Sequence, residues 1–174
     1  MNKKYLIILI AVIACAGLFA YPKANAQRSQ NTVVVSASWH DHFFSAEEMA
    51  ENSDIVVGGV LDSSYTELRG NLVFTRSQIL VERVYAGDCA EGTIIEVLQT
   101  GGDYKDHHTA PISESPLIEP STKYLLMLSL TEPDDRFGQY YLISGGYQGM
   151  VKVSEYPAEE DLNGAFDPVF DMKH

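Results

Sequence analysis

The feature that most constrains the fold is the run "LVFTRSQILVERVYAGD", residues 72–88. Successive side chains of a strand point to opposite faces, so every second residue shares a surface. One face carries small and apolar residues, namely Val73, Thr75, Ser77, Ile79 and Val81. The other face carries the polar residues Arg76, Gln78 and Glu82. This alternation predicts a long, half-buried strand that ends at Gly87-Asp88.

Five further apolar segments have strand composition and are bounded by turn residues. They are residues 54–62, 93–100 and 123–130, then "QYYLIS" (139–144) and "GMVKVSE" (149–155). Ser45, followed by Glu48, forms a capping box that predicts a short helix over 46–52. Residues 101–121 contain three prolines and no periodicity, which predicts a loop.

Strands without intervening helices exclude a parallel α/β fold. The sequence therefore predicts a mainly β protein, a small antiparallel OB-like β-barrel of five to six strands with one short helix. We place this barrel domain at residues 45–156, after an N-terminal tether at 27–44 and before an acidic, loosely packed C-terminal tail at 157–174.

Residues 1–26 have the pattern of an export signal peptide. A basic "MNKKY" precedes fifteen apolar residues, and "YPKANA" supplies an A-x-A cleavage pattern ending at Ala26. The apolar stretch is short for a membrane span, which needs about 20 residues. We expect cleavage after Ala26, a mature chain starting at Gln27, and secretion from the cell.

Two alternatives remain open for this segment. Cys15 follows "VIA", which is similar to a lipoprotein cleavage box, so Cys15 is the alternative lipidation site. An uncleaved segment would instead act as a membrane anchor. Each alternative ties the protein to the outer face of a membrane through its N-terminal segment alone.

Charge excludes one class of partner. Cleavage removes Lys3, Lys4 and Lys23, which leaves 9 of the 12 basic residues against 24 acidic ones, a formal charge of −15. Such a surface repels nucleic acid, so we expect no nucleic-acid partner. The mature chain keeps only Cys89, which cannot form an internal disulfide and is predicted to be a loop thiol.

The strand segments also resemble a known family. The order "AENSDIVVGGVLDSSY", "FTRSQILVERVYAGD", "TIIEVLQTGG", "KYLLMLSL", "YYLISGGYQG" is similar to the netrin-like domain, over roughly residues 45–153. That domain is the OB-type barrel of the tissue inhibitors of metalloproteinases, and the chain looks like bacterial secreted proteins of this barrel type. The resemblance implies a barrel fold and, as one alternative function, inhibition of a secreted metalloprotease.

The inhibitory motif of that family is missing here. The animal inhibitors bind the protease zinc through the free amine and carbonyl of an N-terminal cysteine. The mature chain would instead begin at Gln27, or at an acylated Cys15 that has no free amine. The resemblance therefore transfers the fold and not the inhibitory residues.

Candidate sites are few. His40 and His42 in "SWHDHFF" would point to one side of a strand, as a zinc site requires, and His107-His108 could complete it if the long loop folds back. We favour the alternative that Trp39, Phe43 and Phe44 of this segment pack against the barrel. The "YYLISGGYQGMV" segment is the best binding candidate because tyrosine offers area with a polar tip; it supplies Tyr140, Tyr147 and Gln148.

Catalysis is not expected. The serines lack a G-x-S-x-G setting, Cys89 has no basic neighbour in sequence, and no glycine-rich loop precedes a helix. We predict no enzyme activity and no cofactor. The sequence favours an exported, non-catalytic module that binds a protein or an envelope polymer, with protease inhibition as the alternative.

Overall fold

The computed structural model describes residues 31–34, 42–112, 115–135 and 138–170. The strands are β1 Asn31–Val34, β2 Ile55–Arg69, β3 Leu72–Gly87, β4 Ile94–Thr100, β5 Gly102–Tyr104, β6 His107–Ala110, β7 Lys123–Leu130, β8 Tyr141–Ile143 and β9 Met150–Val153. The helices are α1 Ala46–Glu51 and α2 Leu162–Phe170, the latter preceded by a 3₁₀ turn at Glu159–Asp161.

Five strands close into a barrel, which confirms the predicted fold class. The long hairpin of β2 and β3 pairs with β4 on one side and with β7 on the other. Strand β8 pairs with the end of β7 and meets β4 at Val97 and Tyr141, and this contact closes the barrel. The short β9 continues the pairing along the rest of β7.

The predicted inward face of β3 is also confirmed. Its alternate residues are at most 6 % exposed: Val73, Thr75, Ser77, Ile79 and Val81. They line the barrel with buried residues of β2, β4 and β7. Arg76, predicted to face outward, does lie on the other face, yet it is only 4 % exposed because other side chains cover it.

Helix α1 begins where the capping pattern placed it. The Ser45 side chain accepts a hydrogen bond from the Glu48 amide (3.2 Å), and the Glu48 carboxylate accepts one from the Phe44 amide (2.8 Å). Ala46 and Met49 are buried against the barrel. The cap sets the start of the helix, and these two apolar residues set the face it buries.

The prediction of a loop over 101–121 is wrong for its first half. Strands β5 and β6 form a hairpin, and β1 pairs in parallel with β6. Threonine side chains tie this small sheet to β3: Thr75 donates to the Gly101 carbonyl (2.7 Å), and Thr109 accepts from the Val73 amide (2.8 Å). Strands of three or four residues are too short to show periodicity, so tertiary hydrogen bonds decide them.

The prediction of a loosely packed tail from residue 157 is also wrong. Helix α2 buries Phe166 completely against residues of α1, β2 and β7. The Tyr85 hydroxyl donates to the Pro157 carbonyl (2.9 Å), and Asn163 donates to the Glu47 carboxylate (2.9 Å). The segment was predicted to pack loosely because it is acidic, but the single buried side chain of Phe166 packs it against the barrel.

Candidate functional site

A cleft of about 420 Å³ is lined by residues of β4, β7 and β8. We call it the serine cleft. One wall contains Ile112 and Ser115, another is the segment just before α1, and a third is the turn that follows β8. Its apolar lining is Phe43, Leu98, Ile112, Leu142 and Ile143, and its polar lining is Asn52, Gln99, Thr100, Ser115, Ser129 and Ser144.

Gln148 holds the Phe43 wall in place. Its amide nitrogen donates to the Phe43 carbonyl (2.9 Å), and its amide oxygen accepts from the Phe43 N–H (3.1 Å). The Gln148 side chain is 2 % exposed. Gly145 makes room for this clasp, since a Cβ there would lie 2.6 Å from the Gln148 amide oxygen and the backbone has a φ of +60°.

Gln99 likewise uses both ends of its side-chain amide to bind backbone groups, here of the segment that follows Ser115. Its amide nitrogen donates to the Pro116 carbonyl (2.9 Å), and its oxygen accepts from the Ile118 N–H (3.0 Å). Gln99 is 5 % exposed, and Ile118 enters the barrel core. Two buried glutamines thus hold Phe43, which lines the cleft, and the segment that follows the lining residue Ser115, which favours a preformed shape.

A chain of serine hydroxyls runs from the floor of the cleft to α1. Ser129 and Ser144 oxygens are 2.9 Å apart, and Ser144 and Ser53 oxygens are 2.7 Å apart. Ser53 donates to the Met49 carbonyl (2.8 Å). The chain ends at a backbone carbonyl, which cannot take up a proton, so it does not activate any of these hydroxyls as a nucleophile.

A charged cluster covers the outer face of β2, β3 and β4 beside the cleft. Arg76 pairs with Glu67 and Glu96, and Arg69 pairs with Glu67. Both guanidinium groups lie over the Tyr140 ring, with 5.2 Å from Arg69 and 5.1 Å from Arg76 to the ring centroid. Because two cations face two carboxylates, the cluster offers no net charge to a ligand.

The surroundings of the charged cluster raise the pKa of two of its side chains, Arg76 and Tyr65. Burial alone would lower the pKa of Arg76, but its hydrogen bonds to Glu96 and Glu67 outweigh that effect and raise the pKa. Burial, and then the hydrogen bond to Glu96 (2.9 Å), raises the pKa of Tyr65. Arg76 therefore remains charged and Tyr65 neutral at physiological pH.

The structure separates the three predicted binding residues. Tyr140 belongs to the charged cluster, where its hydroxyl accepts from Arg69 (3.3 Å). Tyr147 is 8 % and Gln148 2 % exposed, so little of either side chain is accessible. The Gln148 side chain positions Phe43, and the binding role of these residues stays a prediction.

The "SWHDHFF" segment is described only from His42 onward. Phe43 packs against the core, as predicted, whereas Phe44 is 83 % exposed, contrary to the prediction. His42 is exposed beside the Phe44 ring, with centroids 5.5 Å apart. His40 and Trp39 lie outside the described residues.

The histidines of β6 face acidic neighbours. The His108 Nδ1 lies 2.9 Å from the Asp103 carboxylate, and His107 Nε2 lies 3.8 Å from Asp106. In the part of the chain that the structure describes, no three histidine, cysteine, aspartate or glutamate side chains group as metal ligands. His42, His107 and His108 are therefore not grouped as metal ligands in the structure, and His40, the other weak metal candidate, lies outside the described residues.

The predicted signal peptide, its Ala26 cleavage site and the Cys15 alternative all lie outside the described residues. Cys89 is a free, half-buried thiol next to the turn after β3, which agrees with the loop prediction. Of the helices in the described ranges, none is long and apolar enough to cross a membrane.

Sequence reasoning missed the residues that build the serine cleft. The available signal was a polar residue inside an apolar strand, which occurs at Gln99 in "TIIEVLQT" and Ser129 in "KYLLMLSL". Comparison of the chain with protein-family models found no match, and comparison with curated proteins found none either.

Proposed function

We propose that this protein is an exported, non-catalytic binding module whose binding site is the serine cleft. The observation that carries the proposal is a preformed cleft, fixed on two sides by buried glutamines, in which hydroxyl and amide groups converge with apolar walls. Its volume of about 420 Å³ falls in the lower part of the 300–1,000 Å³ range of small-ligand pockets. That size suits a small ligand or one unit of a larger protein or envelope polymer.

Two further observations support a role in binding over one in catalysis. In the described ranges the lining residues include no acid, base or thiol, and the serine chain ends at the Met49 carbonyl. Proton transfer needs a group that can accept or release a proton near neutral pH. Export is proposed from residues 1–26, and the mature charge of −15 suits a soluble protein outside the cell.

The proposal is tested by nuclear magnetic resonance with matched variants. The isotope-labelled protein is titrated with isolated polymer and protein fractions of the host envelope. We expect amide shifts along β8 and the following turn, because these elements line the cleft. Leu142→Arg places a charge in the cleft and should weaken binding at least tenfold.

Leu130→Arg is the control. Leu130 is 40 % exposed and Leu142 is 43 % exposed, but only Leu142 lines the cleft. Equal loss of binding in both variants, or shifts confined to another surface, would contradict the proposal. The alternative of protease inhibition rests on the barrel resemblance alone, and stoichiometric inhibition of a co-secreted metalloprotease by Leu142→Arg would favour it.

A further inference from the structure

The direction of the serine hydrogen bonds follows from counting protons. A hydroxyl has one proton to donate and two lone pairs to accept with. Ser53 donates its proton to the Met49 carbonyl, so Ser144 must donate to Ser53. Since Ser144 then has no second proton, Ser129 must donate to Ser144. The chain therefore has a fixed polarity, from Ser129 inward to α1.

This polarity decides what Ser129 offers to the cleft. Its proton is used internally, and its oxygen has no other partner among the described residues, so it presents only acceptor lone pairs. Within the described ranges Ser115 is in the same state, because it donates to the Gly146 carbonyl (3.4 Å). A ligand at this side of the cleft must therefore bring hydrogen-bond donors.

Other residues of the cleft lining can donate hydrogen bonds to a ligand. Asn52 and Gln99 each use one N–H internally, toward the Glu48 and Pro116 carbonyls, and keep a second one. The Thr100 hydroxyl also lines the cleft. A ligand that both donates and accepts at closely spaced atoms fits this mixture, and hydroxyl groups have that property.

The described lining residues favour an uncharged ligand. Among the described residues that line the cleft, none carries a charged side chain that would pair with a carboxylate, a phosphate or an ammonium group. Moving an unpaired charge out of water is costly, whereas a hydroxyl loses little if its hydrogen bonds are replaced. The Phe43 and Leu142 side chains supply apolar surface for the C–H groups of the same ligand.

We propose, resting on the function proposed above, that the serine cleft binds a neutral sugar unit, which donates a hydroxyl proton to Ser129. A sugar combines vicinal hydroxyls with apolar C–H faces, and it is a common unit of envelope polymers. An uncharged peptide is the competing ligand, because its amide N–H also donates. It has one donor per residue, whereas Ser129 and Ser115 present two acceptor sites.

The test uses the purified protein and a panel of neutral mono- and disaccharides, acetylated dipeptides and acidic sugars, observed by ligand and protein resonances. We expect millimolar binding of a neutral sugar, with shifts at Ser129, Leu142 and Gly145. Replacing one ring hydroxyl by fluorine removes its proton at nearly constant size. At one position this should weaken binding roughly tenfold, the effect of one well-placed hydrogen bond.

Two variants make the result specific. Ser129→Ala should weaken the parent sugar roughly tenfold and abolish its advantage over the fluorinated analogue. Ser53→Ala does not alter the cleft lining, but it frees the Ser144 proton and lets the chain reverse. We expect that variant to bind the fluorinated analogue and the parent sugar with equal affinity. A merely structural role of Ser53 would not produce this effect.

The outcomes separate the two proposals. Binding of an acetylated dipeptide in the cleft without any sugar would overturn the sugar assignment and leave the binding module intact. Sugar binding that Ser129→Ala does not affect would overturn the hydrogen-bond assignment. If no panel member binds and no envelope fraction shifts the cleft resonances, both proposals fail. Circular dichroism of each variant confirms that it is folded.

Discussion

Gln148→Ala is the substitution that best tests how the cleft is built. The substitution removes both hydrogen bonds of Gln148 to the Phe43 backbone, 105 residues away in sequence. Each contributes about 1 kcal/mol. Loss of the buried side-chain atoms adds about 1–2 kcal/mol. We therefore expect the free energy of unfolding to fall by about 3 kcal/mol, which lowers the thermal midpoint by about 6–12 °C in a domain of this size.

The assay is urea unfolding followed by far-ultraviolet circular dichroism, with amide hydrogen exchange at Phe43 as the local measurement. Gln139→Ala is the control, because Gln139 is exposed and its side chain donates to the Thr131 carbonyl (3.1 Å) near the protein surface. It should change the free energy by less than about 0.5 kcal/mol. If Gln148→Ala is as mild as the control and Phe43 exchange is unchanged, the clasp does not hold the cleft wall.

Three other predictions concern the barrel and its C-terminal helix. Phe166→Ala should cost about 3–5 kcal/mol and expose α2 to limited proteolysis, because Phe166 is fully buried. Gly58→Ala should cost about 1–3 kcal/mol in urea unfolding, since its Cβ would lie 2.7 Å from the Tyr156 ring. Burial and the hydrogen bond to Glu82 (2.8 Å) raise the pKa of Tyr156. The folded state therefore holds the phenol proton longer than the unfolded state, so stability should fall as the pH rises above about 10, and less steeply in Tyr156→Phe.

Local sequence determined the elements whose pattern is complete within the element. The apolar run "KYLLMLSL" predicted β7 with its observed bounds, Lys123–Leu130. The alternation in β3 predicted which side chains enter the barrel, because the period of a strand is a property of its own backbone. The cap of α1 needs only residues within one turn of each other, so Ser45 and Glu48 were sufficient to predict it.

Tertiary structure decided the features that depend on partners far away in the chain. The strands of the small sheet carry no pattern of their own and form because threonines of β3 and β6 supply their hydrogen bonds. Arg76 is buried because Glu67, Glu96 and Tyr140 come from three other segments to cover and pair with it.

The serine cleft is the clearest case of this dependence. Gln148 was identified from sequence as a residue of interest, but its role depends on Phe43, which only the fold brings next to it. The polarity of the serine chain likewise needs Ser53, Ser129 and Ser144 from three segments. A single sequence records the residue types and their local period, whereas a hydrogen-bond partner 15 to 105 residues away is set by the closure of the barrel.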